Sequence, residues 1–155
     1  MKKLALILLC YISFLSNSQT KQETQDWLKE KIKLYGYNSY DGVQHNYSVS
    51  FIDNNLVISN NWALDGYFFL ETMQIPIKKI KIRFEEKTNT IWMIISTNDG
   101  SNSIKTVNET ETTFKTEYTV IFDKSIKLED LPNRLVKSFN HLITLYGGTV
   151  VKEAF

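Results

Sequence analysis

The sequence predicts an α+β domain with an N-terminal helix, about seven antiparallel strands and a C-terminal amphipathic helix. Two observations carry this prediction. Apolar and polar residues alternate through the middle of the chain, whereas at both ends of the predicted domain the apolar residues recur at helical spacing. The intervals between the alternating segments are too short for crossover helices, so neighbouring strands must run antiparallel.

The first eighteen residues predict a cleaved signal peptide. Lys2 and Lys3 precede an apolar run of about a dozen residues, shorter than the roughly 18–20 that span a bilayer. Small polar residues follow the run and place the cut between Ser18 and Gln19. We therefore expect one domain over residues 19–155, exported to the periplasm or the cell exterior and without a transmembrane anchor after cleavage.

The single cysteine, Cys10, lies inside the predicted signal peptide. Leu9 directly precedes it, whereas a lipid attachment site has a small residue there, so no lipid anchor is expected. The exported chain then has no disulfide, no thiol nucleophile and no cysteine-ligated zinc. An exported domain without disulfides is more typical of a bacterial envelope than of a small eukaryotic secreted protein.

The first helix is predicted over residues 20–35. Thr20 and Glu23 have the spacing of a capping box, and Gly36 ends the helix. The apolar face that packs on the rest of the domain consists of Trp27, Leu28, Ile32 and Tyr35.

Alternation then predicts the strands. A hairpin joins residues 47–51 to 56–58 through the turn residues Asp53, Asn54 and Asn55. A second turn is expected at residues 98–101. The remaining strands are predicted at residues 66–71, 79–84, 91–97, 103–107 and 114–122.

The last helix opens at Glu129 and Asp130 and stops at Gly147. Its apolar stripe, flanked by Val136 and Ile143, predicts a face buried against the sheet. The stripe consists of Leu131, Leu135, Phe139, Leu142 and Tyr146.

This order of elements resembles the pleckstrin-homology-like fold, a partly open barrel of two sheets with a C-terminal helix at one end. Segments 75–80 and 131–143 are also similar to those of uncharacterised small exported bacterial proteins of this shape. Lipid-binding members of the fold use a basic loop between the first two strands. Here that loop is Asp53, Asn54 and Asn55, so phosphoinositide binding does not follow from the resemblance.

The composition and motifs do not favour an enzyme. With 18 basic and 17 acidic residues the chain lacks the surplus of cations that nucleic acid binding requires. His45 and His141 lie in no catalytic motif, and the oxygen-rich segments 53–55 and 98–102 lack the pattern of a calcium loop. We predict no catalytic residue, metal or cofactor.

Two surface patterns are candidates for binding. Lys79, Lys81 and Arg83 alternate with apolar residues, so they form a basic stripe on one face of a strand; the stripe meets an anionic partner or is simply the solvated face. The second pattern is aromatic, and its alternative interpretation is core packing. Its residues are Tyr37, Tyr40, His45, Tyr47 and Trp62.

The function that these observations favour is a non-catalytic module of the cell envelope. Its partner is an unknown protein, peptide or envelope component, bound through an edge strand or an aromatic surface. One alternative is a barrel around a small apolar ligand, with Phe51, Ile58, Phe68 and Ile94 lining the cavity. Another is a small secreted hydrolase, in which His45 needs a hydroxyl and a carboxylate nearby.

Overall fold

The computed structural model describes residues 19–36 and 45–151. The predicted signal peptide with its Ser18/Gln19 cut, and also Tyr37 and Tyr40, lie outside these residues. The helices are α1 (Lys21–Tyr35) and α2 (Leu131–Leu145), and two 3₁₀ helices cover Ile77–Lys79 and Lys124–Glu129. The strands are β1 (His45–Ile52), β2 (Asn55–Leu64), β3 (Tyr67–Pro76), β4 (Ile80–Glu86), β5 (Thr90–Thr97), β6 (Ile104–Val107), β7 (Thr112–Lys115) and β8 (Glu117–Asp123).

The strands form two antiparallel sheets. The large sheet has the order β1-β2-β3-β6-β7, and the small sheet has the order β4-β5-β8. Every described pairing is antiparallel, which confirms the α+β class and the strand direction. No ladder joins the two sheets within the described residues, so the sheets do not close into a hydrogen-bonded barrel.

The strand predicted over residues 114–122 is two strands. β7 ends at Lys115 in the large sheet, and β8 begins at Glu117 in the small sheet. Thr116, between them, accepts a hydrogen bond from the backbone N–H of Thr97 at 3.4 Å. The alternation of apolar and polar residues continues across Thr116. A chain that passes from one sheet to the other stays extended, so its side chains keep the two-residue period of a single strand. The prediction of seven strands was therefore one too few.

Two tight turns set the register of the first three strands. Asp53 and Asn54 have φ values of 48° and 64°, and Asp65 and Gly66 have values of 50° and 83°. Two consecutive left-handed residues between antiparallel strands are typical of a type I′ hairpin, whose twist matches that of the strands. The first hairpin confirms the prediction. The second extends β2 to Leu64, well beyond the predicted strand at residues 56–58.

The predicted N-terminal helix is confirmed, with its capping box. Thr20 Oγ1 accepts a hydrogen bond from the Glu23 backbone at 3.1 Å, and Glu23 Oε2 accepts one from the Thr20 backbone at 2.7 Å. Leu28 and Ile32 are fully buried. Gly36 ends the helix beside β1, where a β-carbon would lie 2.9 Å from Cδ2 of Tyr47, so the close packing of this ring requires glycine.

The C-terminal helix buries the predicted stripe against the sheets. Leu131, Leu135, Phe139 and Leu142 are fully buried, and Ile143 joins them. They belong to one core, which α1, α2 and the inward faces of both sheets enclose. The stripe recurs at three- and four-residue spacing, which places these side chains on one face. The opposite face of α2 is left for solvent.

Candidate functional site

A groove runs between the first strand of the small sheet and the C-terminal helix. β4 pairs with β5 along one edge, and no other described strand pairs with its second edge. That second edge lies beside α2, and the two elements enclose a groove of about 570 Å³. Val150 and Val151, after the end of α2, contribute to its wall.

The floor of the groove is apolar because of the spacing of residues on both elements. Ile82 and Phe84 lie on the face of β4 that is turned toward the core, where they are half-buried. On α2, Pro132 and Val136 lie four residues apart, so they follow one flank of the helix along the groove. Apolar side chains from two elements therefore meet below a strand edge with which no other described strand pairs.

The rim of the groove is polar. Lys81 and Arg83 come from the outward face of β4, and Asn133 and Asn140 come from α2. Carboxamides both donate and accept hydrogen bonds. An apolar floor, a polar rim and a strand edge that no other described strand occupies together provide what the main chain of an extended peptide needs when it adds to a sheet.

The prediction that Lys79 belongs to the basic stripe is wrong. This residue lies in the 3₁₀ helix after Pro76, before β4 begins at Ile80, so it does not share a strand face with Lys81 and Arg83. Its Nζ donates to Oδ2 of Asp99 at 3.0 Å and to Oγ of Ser103 at 3.3 Å. Alternation alone did not indicate that the chain makes a 3₁₀ turn there.

Arg83 is held by two carboxylates. Its guanidinium donates to Glu85 Oε1 at 2.6 Å and to Glu117 Oε1 at 3.0 Å. Glu85 Oε2 also accepts a hydrogen bond from Lys87 Nζ at 2.7 Å. These contacts make an ion-pair network over the outward face of the small sheet. They pair the charge of Arg83 with carboxylates, which argues against an anion-binding stripe.

Three carboxyl groups, those of Glu85, Glu86 and Asp99, have pKa values below their ordinary ones. A hydrogen bond from Lys87 lowers the pKa of Glu85, and one from Lys127 lowers that of Glu86. Hydrogen bonds from the Ser101 side chain and backbone, with that of Lys79, hold the pKa of Asp99 well below its usual range. A general acid requires a pKa shifted upward. These groups are therefore ionised partners in ion pairs and turns.

Two of the aromatic candidates, Trp62 and His45, lie together at the end of the large sheet. The ring of Trp62 lies 5.4 Å from that of Phe69 with an interplanar angle of 14°, and the His45 ring lies 5.3 Å from Trp62. Trp62 is half-buried and lines a small cavity of about 270 Å³ with Phe69 and Leu70. Of the predicted binding residues, the structure thus brings together His45 and Trp62.

His45 is buried in a polar contact. Its Nδ1 lies 3.1 Å from Nδ2 of Asn60, and a carboxamide N–H that donates to it requires the tautomer with the proton on Nε2. Oδ1 of Asn60 is buried and has no hydrogen-bond partner among the residues that the structure describes. The group beside Nδ1 is a carboxamide, whereas the catalytic arrangement considered for a hydrolase places a carboxylate there.

Tyr47 is a core residue. It is 5% exposed, its ring packs against Gly36, and its hydroxyl accepts a hydrogen bond from the Ile121 backbone at 3.5 Å. This contact joins β1 of the large sheet to β8 of the small sheet. The alternative interpretation of the aromatic pattern, core packing, therefore describes Tyr47.

The residues predicted to line an apolar ligand cavity do not share one. Ile58 faces the core of the large sheet, whereas Phe68 lies on the opposite face and is 81% exposed. Ile94 lies opposite Arg83 on the outward face of the small sheet. Phe51 alone joins Ile58 at the core. The prediction of this cavity is wrong, because the alternation of apolar and polar residues does not show which face of each strand is turned toward the core.

Sequence reasoning did not find the groove. Its signals were present in the alternating residues of β4 and in the four-residue spacing of Pro132, Val136 and Asn140. The position of β4 at a sheet edge beside α2 is a property of topology, which the local pattern does not contain.

None of the described helices is long and apolar enough to cross a membrane. Comparison with protein-family models, curated proteins and solved structures gives no match.

Proposed function

We propose that this chain is an exported, non-catalytic binding module of the bacterial cell envelope, with a pleckstrin-homology-like fold, and that it binds an extended peptide segment of a partner protein. The single observation that supports this function is the groove in which α2 faces the edge of β4 that no other described strand pairs with. Export is supported by the N-terminal sequence pattern, and the fold assignment by the order of helices and strands.

The peptide adds to the small sheet as a fourth strand. β4 has seven residues, so its edge offers roughly 23 Å of main chain for hydrogen bonding. Exposed donors and acceptors on such an edge are a template for another strand. Main-chain hydrogen bonds then supply affinity that does not depend on the sequence of the partner.

Side chains of the bound segment provide the selectivity. In an extended peptide, alternate residues point to the same side, so every second side chain reaches the floor formed by Ile82, Phe84 and Val136. We expect apolar residues at these positions of the peptide. The polar rim accommodates the intervening side chains, which remain in contact with water.

Selection from a library of random peptides, long enough to span β4, tests this function. The chain is expressed from its full sequence, purified and used to enrich binders, and one enriched peptide is then synthesised with a fluorescent label. We expect an alternating apolar consensus. Val136→Trp, which fills the groove, raises the Kd of that peptide at least about tenfold.

Lys137→Ala is the matched control, because Lys137 is the exposed neighbour of Val136 on α2. We expect this variant to bind the peptide with unchanged affinity. Both variants must keep the thermal unfolding midpoint of the wild type, which separates a blocked groove from a damaged fold. The proposal fails if no peptide is enriched, or if Val136→Trp binds the enriched peptide as tightly as Lys137→Ala.

A further inference from the structure

Gln19 becomes the first residue of the exported chain when the predicted cut after Ser18 takes place. It is exposed, and its side-chain carboxamide makes no hydrogen bond to any described residue. An N-terminal glutamine carries its α-amine within reach of its own side-chain carbonyl carbon, and attack on this carbon closes a five-membered lactam. Because both groups belong to one residue, the reaction is intramolecular and needs no second molecule.

His141 on α2 holds the main chain of Gln19. Its Nε2 lies 3.0 Å from the Gln19 carbonyl oxygen, although the two residues are 122 positions apart in the sequence. A carbonyl oxygen only accepts hydrogen bonds, so Nε2 carries the proton and is the donor. This bond fixes residue 19 at the surface of the domain and uses neither its nitrogen nor its side chain.

The capping box beside Gln19 also leaves the reacting atoms free. The Thr20 backbone N–H donates to Glu23 Oε2 at 2.7 Å, and Thr20 Oγ1 accepts from the Glu23 backbone at 3.1 Å. Ring closure changes the nitrogen and the side chain of residue 19 alone. The start of α1 therefore stays intact when the ring forms, and the bond from His141 to the Gln19 carbonyl is kept.

Ring closure removes a positive charge from the start of this helix. A free α-amine is cationic at neutral pH, and on Gln19 it lies just before α1, where the helix dipole is positive. Lys21 adds a second cation in the first turn, and the Glu23 carboxylate already binds the Thr20 backbone. The lactam nitrogen is neutral, so the cyclised chain lacks this unfavourable charge.

We propose that the exported chain is modified at its N-terminus, where Gln19 cyclises to pyroglutamate. The amine nitrogen forms a bond to Cδ of the same residue, and the bond from Cδ to the carboxamide nitrogen breaks. A proton passes from the attacking amine to the leaving nitrogen, which departs as ammonia. Nothing is oxidised or reduced. The inference rests on the export and the Ser18/Gln19 cut of the proposed function, and it is independent of peptide binding.

Intact mass spectrometry of the periplasmic chain, expressed from its full sequence, tests the inference. After several days at neutral pH we expect a chain that begins at residue 19 and is lighter by one molecule of ammonia, with the loss located at residue 19 by fragmentation. Stepwise chemical degradation from the N-terminus requires a free amine, so it should yield no sequence. Treatment with pyroglutamate aminopeptidase should remove one residue and restore a readable sequence that starts at Thr20.

Gln19→Asn is the matched control. It keeps the carboxamide but is shorter by one methylene group, so the same attack would have to close a strained four-membered ring. The small residues Ser16 and Ser18 before the cut are unchanged, so export should proceed as in the wild type. We expect this variant to retain its ammonia and to give a readable sequence from residue 19.

Three results overturn the inference. A wild-type chain that begins at Gln19 and keeps its ammonia overturns cyclisation alone and leaves the proposed export in place. A chain that retains the first eighteen residues overturns both. An equal loss of ammonia in the wild type and in Gln19→Asn assigns the reaction to another residue.

Discussion

The side-chain amide of Gln25 donates a 2.7 Å hydrogen bond to the hydroxyl of Tyr146. Gln25 lies on α1, and Tyr146 follows the last residue of α2, so this bond joins the two ends of the described domain. Lys21 adds a cation–π contact, with Nζ 3.3 Å from the centroid of the Tyr146 ring. The two helices that cover the core are thereby fixed to each other, and α2 is held in position beside β4.

Removing the Tyr146 hydroxyl should destabilise the domain. Gln25 is 92% buried, so Tyr146→Phe leaves its amide without this partner in a place that water scarcely reaches. We expect the free energy of unfolding to fall by about 1–3 kcal/mol. Urea denaturation measures it, and Tyr67→Phe, whose ring is largely exposed, is the matched control and should change nothing. An equal effect in both variants would contradict this role of the bond.

Two phenylalanines should differ sharply when each is replaced by alanine. Phe139 on α2 is fully buried, so Phe139→Ala creates a cavity in the core and lowers the free energy of unfolding by about 3–5 kcal/mol. Phe68→Ala, at an exposed position, should lower the free energy of unfolding by less than about 0.5 kcal/mol. Thermal unfolding of both variants at low concentration checks this, and comparable losses would mean that α2 does not cover the core.

Acid should destabilise the domain partly through Asp99. The pKa of this carboxyl is depressed in the folded state by Ser101 and Lys79, whereas the unfolded state has the ordinary value of 3.8. The unfolded state therefore takes up a proton first as the pH falls. The stability that the Asp99 carboxylate contributes above about pH 5 decreases progressively as the pH falls below about 4.

Asp99→Asn should reduce the decrease in the free energy of unfolding that accompanies the fall in pH. Urea midpoints measured between about pH 6 and pH 3 give the slope. Asp53→Asn, in an exposed turn, is the comparison variant and should follow the wild type. A wild-type slope in Asp99→Asn would show that the carboxylate of Asp99 does not carry this effect.

Export should remove the first eighteen residues. When a bacterial host expresses the full sequence, we expect the mass of the exported chain to correspond to an N-terminus at Gln19. Intact mass spectrometry of the periplasmic fraction measures this directly. Replacing Ser16 and Ser18 with bulky residues should block the cut and retain the precursor, and recovery of the full-length chain from the wild type would contradict the signal peptide.

The sequence predicts best what depends on local periodicity. The Thr20/Glu23 capping box, the stripe on α2 and the Asp53/Asn54 turn are all in the structure, because each follows from residues close together in the chain. The switch of sheets at Thr116 and the 3₁₀ turn at Lys79 were missed. Both leave the alternation of apolar residues unchanged, so the pattern does not record them.

The candidate site was harder to predict because it is made by topology. The sequence identified a hydrophobic strand and an amphipathic helix but not that the edge of one lies beside the other. It singled out aromatic residues instead, and of these His45 and Tyr47 are buried while Trp62 is stacked on Phe69. A residue type shows what a side chain can contact, and the fold decides whether a partner can reach it.

The most direct measurement of the central claim is a nuclear magnetic resonance map of the chain with an enriched peptide bound. We predict slowed hydrogen exchange and shifted amide signals along Ile80–Glu86, with cross-strand contacts between peptide and β4 backbone protons. Signals that instead move around Trp62 and Phe69, with β4 unchanged, would contradict it.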